Sequence, residues 1–125
     1  MKKLFILDDN EELLEITQLI LGKDYIVYAK PSAESIAEEL RNFQPDLMLI
    51  DHFVGDHNSE EIMHHIQHAI PNFSVPFILF SASHDISEKA AKLGAAGFIE
   101  KPSSISYIKE YIKKFFHDDT VAETK

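Results

Sequence analysis

Cysteine is absent from the 125 residues, which excludes a disulfide scaffold, a thiolate zinc site and a thiol nucleophile. Positive charge is scarce: 12 Lys and Arg face 21 Asp and Glu, a formal net charge of −9. Such a chain lacks the basic footprint that neutralises phosphates, so neither nucleic-acid nor anionic-membrane binding is expected of it. Glycine and proline are sparse too, at 4 and 5, and with 45% apolar residues this is the composition of a folded domain. Long apolar runs are missing. The longest, Val75 to Phe80, is interrupted by Pro76, far short of the roughly 20 residues that span a bilayer. Lys2 and Lys3 followed by Leu4 to Leu7 could begin a signal peptide, but Asp8 and Asp9 end the run too early. One soluble, cytoplasmic domain is the expectation.

What is present alternates. Short apolar runs at Leu4 to Leu7, Tyr25 to Ala29, Leu47 to Ile50, Phe77 to Phe80 and Phe98-Ile99 read as strands. Between them lie helical spacings: Leu13, Ile16, Thr17 and Ile20, then Ala33, Ile36, Ala37 and Leu40, and last Ile105, Ile108, Ile112 and Phe115. Asn58 with Glu61, and Asp85 with Glu88, are candidate capping boxes opening the third and fourth helices. Gly22 and Gly94 stand where helices should end in a left-handed cap, and Pro45 and Pro76 fall just before or at strand starts. Strands alternating with helices predict a (βα)₅ chain, doubly wound on a five-stranded parallel sheet.

Ligand sites in such sheets lie at the carboxyl ends of the strands. Those ends carry Asp8 and Asp9, Asp51, Ser81 and Lys101, separated by as many as 93 positions in sequence. Three crowded carboxylates raise one another's pKa unless a cation neutralises them, and a hard ion such as Mg²⁺, or Mn²⁺, suits an all-oxygen set. Lys101 offers a point charge and Ser81 a hydroxyl to a phosphoryl group, so the set suits transfer of that group to a carboxylate.

Four motifs in order strengthen this reading. Asp8-Asp9 closes the first strand, Asp51 closes Pro-Asp-Leu-Met-Leu-Ile-Asp, Ser81 sits in Leu-Phe-Ser-Ala, and Gly94-Ala-Ala-Gly-Phe-Ile-Glu-Lys-Pro102 ends the fifth strand. Together they resemble the receiver domain of bacterial response regulators over about residues 3 to 117, leaving 118–125 as a polar, fraying tail. The resemblance implies a flavodoxin-like strand order of 2-1-3-4-5. It implies Asp51 as phosphoryl acceptor, Asp9 as a direct metal ligand, Asp8 acting through a metal-bound water, and the Phe53 carbonyl as the remaining protein ligand. It implies Lys101 as the phosphoryl contact, Ser81 as switch hydroxyl, Phe98 as the aromatic rotor moving with it, and a cis Lys101-Pro102 bond. Phe53 and Ser83 fall where the family tunes phosphoryl lifetime. The implied partners are a histidine kinase or phosphotransfer protein and a downstream protein on the fourth-helix, fifth-strand, fifth-helix face. The chain would catalyse only its own phosphorylation and dephosphorylation. Val54, Gly55 and Ser59 depart from the family's usual Met-Pro and Gly, which makes the loop after the acceptor unusual.

Blander readings stand beside these. Asp9 with Glu12 would make a capping box, although capping needs only one of the two aspartates. His64 and His68, four apart, with His57, His65 and Glu61 nearby, are spaced for a surface zinc site. Nothing in the sequence supplies the supporting hydrogen bonds such a site needs, so a polar, partly protonatable helix face is preferred. Tyr107, Tyr111, Phe115 and Phe116 read as core packing. The rivals in function are a degenerate, phosphorylation-independent interaction module and a Mg²⁺-dependent phosphohydrolase. The latter would want an acid where Phe53 stands. Whether the domain works alone or as a piece of a longer regulator is left open.

Overall fold

The computed structural model describes the backbone of residues 1–124 and the side chains of residues 1–117. The strands are β1 (Lys3–Leu7), β2 (Ile26–Lys30), β3 (Leu47–Asp51), β4 (Phe53–Val54), β5 (His57–Asn58), β6 (Phe77–Ser81) and β7 (Gly97–Glu100). The helices are α1 (Glu11–Leu21), α2 (Ile36–Phe43), α3 (Ser59–Ala69), α4 (Ile86–Leu93) and α5 (Ile105–Thr124). Five strands form a parallel sheet in the order β2-β1-β3-β6-β7, which is 2-1-3-4-5 when only sheet strands are counted. The expected polar tail, residues 118–125, has its side chains outside the described residues.

The continuous apolar runs of β1, β3 and β6 follow from burial on both faces. Phe5, Leu7, Met48, Ile50, Phe77 and Leu79 pack against α2, α3 and α4. Their neighbours Leu4, Ile6, Leu47, Leu49, Ile78 and Phe80 point the other way, onto α1 and α5. A period of two thus feeds two cores from one sheet.

Some local expectations need correction. In α1 the buried positions are Leu14, Thr17 and Leu21, while Ile16 is half exposed and Leu19 is 71% exposed. The burial of Thr17 is compatible with the core because its hydroxyl donates to the Leu13 carbonyl at 2.7 Å. Asn10, not Asp9, caps this helix, accepting from the Leu13 N–H at 3.2 Å. Gly22 ends it in right-handed geometry at φ −65°, and a Cβ there would lie 2.5 Å from the Gln18 carbonyl oxygen. Close approach, not handedness, is why glycine fits. Asp85 precedes α4 without a capping bond and pairs instead with Lys89 at 3.4 Å. The Asn58–Glu61 capping box is formed, and Gly94 closes α4 at φ +75°.

The hairpin β4–β5 was not expected. Phe53 pairs with Asn58 and Val54 with His57, joined by Gly55-Asp56, with Gly55 at φ +62°. Glycine first in a two-residue loop is the sequence preference of a type II′ turn.

Candidate functional site

Strand register carries the site. Asp8 follows β1, Asp51 ends β3, Ser81 ends β6 and Lys101 follows β7, and the parallel pairings set all four along one sheet edge. The Lys101 N–H donates to the Ser81 carbonyl at 2.9 Å, so the lysine's backbone is fixed by the strand beside it. The Lys101-Pro102 bond is cis.

Asp8 is 1% exposed. One of its oxygens accepts from the Asn10 N–H at 2.9 Å, and the other from the Lys101 ammonium at 2.9 Å. The same ammonium lies 3.5 Å from Asp51 Oδ1 and 4.8 Å from the centre of the Phe80 ring. Lys101 is thereby held between two carboxylates over an aromatic face. Asp9 is exposed and accepts from the Gly55 N–H at 3.1 Å, which ties the hairpin to the acidic edge. Asp8, Asp9 and Asp51 each offer a carboxylate oxygen within 4.8 Å of the others. Among the described residues they are the one group of three that could hold an ion.

Burial pushes the Asp51 carboxyl up, the Asp8 and Asp9 carboxylates add to the push, and Lys101 opposes it, leaving a pKa of about 6 in place of 3.8. A carboxylate so strained by like charge is a ready partner for a cation. The donors are hard oxygens, and the set fits Mg²⁺ in kind and number.

The remaining candidates fall as follows. Ser81 is buried, and its hydroxyl is bonded to the Ser83 N–H at 3.2 Å and the Ser83 hydroxyl at 3.3 Å. Phe98 is partly buried against the α4-side core and lines a groove of about 480 Å³ with Glu100, Pro102 and Tyr107. Phe53 is 55% exposed, with its ring edge-on to His52 at 4.4 Å and the Lys89 ammonium 5.9 Å from its centre. Tyr111, Phe115 and Phe116 pack on the α5-side core, whereas Tyr107 is exposed. The histidines form no comparable centre: His64 and His68 stack at 5.9 Å, and His57 sits 3.6 Å from Glu61 on a cavity shared with His65.

Sequence reasoning missed His52. It is buried beside Asp51, with Nδ1 2.7 Å from the Ser59 hydroxyl and Nε2 3.2 Å from the Lys89 ammonium. Burial lowers its pKa from 6.5 and the Lys89 ammonium adds to the shift, against the opposing pull of Asp85 and Glu60, which favours the neutral ring. No local signal could have found it, since its partners lie 7 and 37 positions away.

A doubly wound parallel sheet with an acidic, lysine-bearing cleft at its carboxyl edge defines a flavodoxin-like α/β domain whose clustered carboxylates could hold a cation. More particularly, the chain belongs to the response regulator receiver domain family, whose sequence model matches residues 4–113, and it is a receiver domain of the two-component type. It is 29% identical over 123 residues to the transcriptional regulatory protein CrdR of Helicobacter pylori, covering 96% of this chain and 57% of that one. It is 26% identical over 94 residues to the response regulator protein VraR of Staphylococcus saprophyticus, covering 75% and 45% respectively. The chain thus spans about half the length of these curated relatives. The fold is that of a CheY-like receiver domain protein from Methanospirillum hungatei, with a TM-score of 0.81 at 23% identity over 98% of both chains. Receiver domains in general bind Mg²⁺ at an acidic pocket, and an aspartate cluster stands at the corresponding edge here. Among the described residues no helix is long and apolar enough to cross a membrane.

Proposed function

We propose that this domain is a phosphorylation-controlled switch of a two-component pathway, taking a phosphoryl group on Asp51 from a cytoplasmic histidine kinase or phosphotransfer protein. The observation that carries the reading is the convergence of the Asp8, Asp9 and Asp51 carboxylates within 4.8 Å, with the Lys101 ammonium 3.5 Å from the acceptor. In the reaction an Asp51 oxygen attacks the phosphorus of a phosphohistidine. The new O–P bond forms as the P–N bond breaks, and the electron pair leaves on the imidazole, which takes up a proton. Asp8, Asp9 and Asp51, with the Phe53 carbonyl, would hold Mg²⁺, which supplies positive charge to the transferring oxygens. Lys101 orients and neutralises the phosphoryl group, and Asp8 holds Lys101 in place. Ser81 exchanges Ser83 for a phosphoryl oxygen, and Phe98 follows into the space it leaves. The altered surface, on α4, β7 and α5, is read by a downstream protein. The chain would catalyse only its own phosphorylation by that donor and its own dephosphorylation.

Incubation with Mg²⁺ and acetyl phosphate, followed by intact mass, tests this. A gain of one phosphoryl group, lost in Asp51→Asn, is expected. No adduct from any donor would leave a phosphorylation-independent interaction module as the better account.

A further inference from the structure

His52 directly follows Asp51, and every polar group it owns is engaged. Its N–H donates to the Phe80 carbonyl at 3.2 Å and its own carbonyl accepts from the Ser59 N–H at 2.7 Å. Its two ring nitrogens meet Ser59 Oγ at 2.7 Å and Lys89 Nζ at 3.2 Å. An ammonium has only hydrogens to give, so Nε2 offers its lone pair and Nδ1 carries the proton, donated to Ser59. One imidazole thereby joins the acceptor strand, the first turn of α3 and the middle of α4.

α4 has few other anchors. It is eight residues long, buries only Ile86 and Ala90, and begins at Asp85 without a side-chain cap. Among the described residues, the Lys89–His52 bond is the one side-chain hydrogen bond from α4 to another element. The segment entering α4 starts at Ser81, whose hydroxyl is held by Ser83.

We propose that His52 is a positioning residue that latches α4 to the acceptor strand through Lys89, and that phosphorylation of Asp51 opens this latch. The inference rests on Asp51 being the acceptor. A phosphoryl group brings three strong acceptor oxygens and nearly two negative charges to the residue beside His52. As Ser81 turns to one of those oxygens it releases Ser83, and the segment leading into α4 is freed to move. At 3.2 Å the Lys89–His52 bond is at the long end of its range, so a displacement of a few tenths of an ångström ends it. The latch therefore opposes the switched state, and removing it should favour that state.

The test is titration of the full chain with beryllium fluoride in Mg²⁺, a mimic of the phosphoryl group, read by amide shifts. Lys89 is about one-third exposed, and Lys89→Met keeps an unbranched side chain of similar length there while removing the donor. In Lys89→Met and in His52→Asn, binding of the mimic should tighten roughly three- to tenfold, the weight of one hydrogen bond. The double variant should bind no more tightly than either single one, and Lys89→Arg, which keeps a donor, should return to wild type. A merely structural role would lower thermal stability without tightening binding. Unchanged affinity in Lys89→Met, or fully additive effects in the double variant, overturns the latch while leaving the acceptor intact. Failure of the wild type to take either the mimic or a phosphoryl group overturns both.

Discussion

Replacing Asp51 by asparagine should make the metal-free protein more stable, because the charge it removes is held at a cost. The carboxyl titrates at about 6 in the fold against an ordinary 3.8, so its ionised form is disfavoured by the folded state. At about 1.4 kcal/mol per pH unit that gap amounts to about 3 kcal/mol, and residual solvent screening reduces it to about 2 kcal/mol. Asparagine keeps the shape and loses the charge, and Lys101 retains its shorter bond to Asp8 at 2.9 Å. For a domain of this size the change corresponds to roughly 6 to 10 °C in Tm. The sign with pH is fixed by the direction of the shift. Below about pH 4 the carboxyl is protonated in both folded and unfolded chains and the cost vanishes; above about pH 6 it is fully present. The gap between variant and wild type should thus open as pH rises between these limits. Urea unfolding in chelator, at about pH 4 and about pH 7.5, measures it, and saturating Mg²⁺ should narrow it by stabilising the wild type. An asparagine variant no more stable than wild type at the higher pH, or a gap of equal size at both, would refute the argument.

Other expectations follow from the same geometry. Asp9→Ala should weaken Mg²⁺ binding by roughly tenfold or more in calorimetry, and wild-type affinity should fall as pH drops below about 6, where protons compete for Asp51; equal affinities would sink the ligand assignment. Beryllium fluoride should shift amides mainly between residues 81 and 112, since Ser81, Phe98 and the α4-β7-α5 face would rearrange together; changes confined to the acidic edge would exclude that propagation. The acyl phosphate should decay slowly, as neither Phe53 nor Ser83 can orient or deprotonate an attacking water, and the Phe53→Asn, Ser83→Glu double variant should decay faster. Decay no faster in that variant would place control of lifetime elsewhere.

The strand ends were legible because β1, β3 and β6 are buried on both faces, which writes each as an unbroken apolar run ending in the residue that matters: Asp8, Asp51, Ser81. The α1 face was less so. Leu13, Ile16 and Ile20 have helical spacing, but the sheet selects Leu14, Thr17 and Leu21, and a buried threonine looks polar until its bond to the Leu13 carbonyl is seen. Asp9 with Glu12 has the pattern of a capping box, but the fold turns Asp9 toward Gly55 and gives the cap to Asn10. The β4–β5 hairpin was hidden because two-residue strands have no period to read. His52 was hidden because its significance lies entirely in tertiary partners.

The Gly55–Asp9 bond has a use beyond bracing the hairpin. A proline at position 55 would have no N–H to give, whereas here the glycine donates 3.1 Å into one of the carboxylates that would face a cation. Anything that draws Asp9 inward must stretch this bond before it disturbs the sheet. The Gly55 amide should therefore serve as a gauge built into the chain, its proton-exchange rate and chemical shift following any loading of the acidic edge.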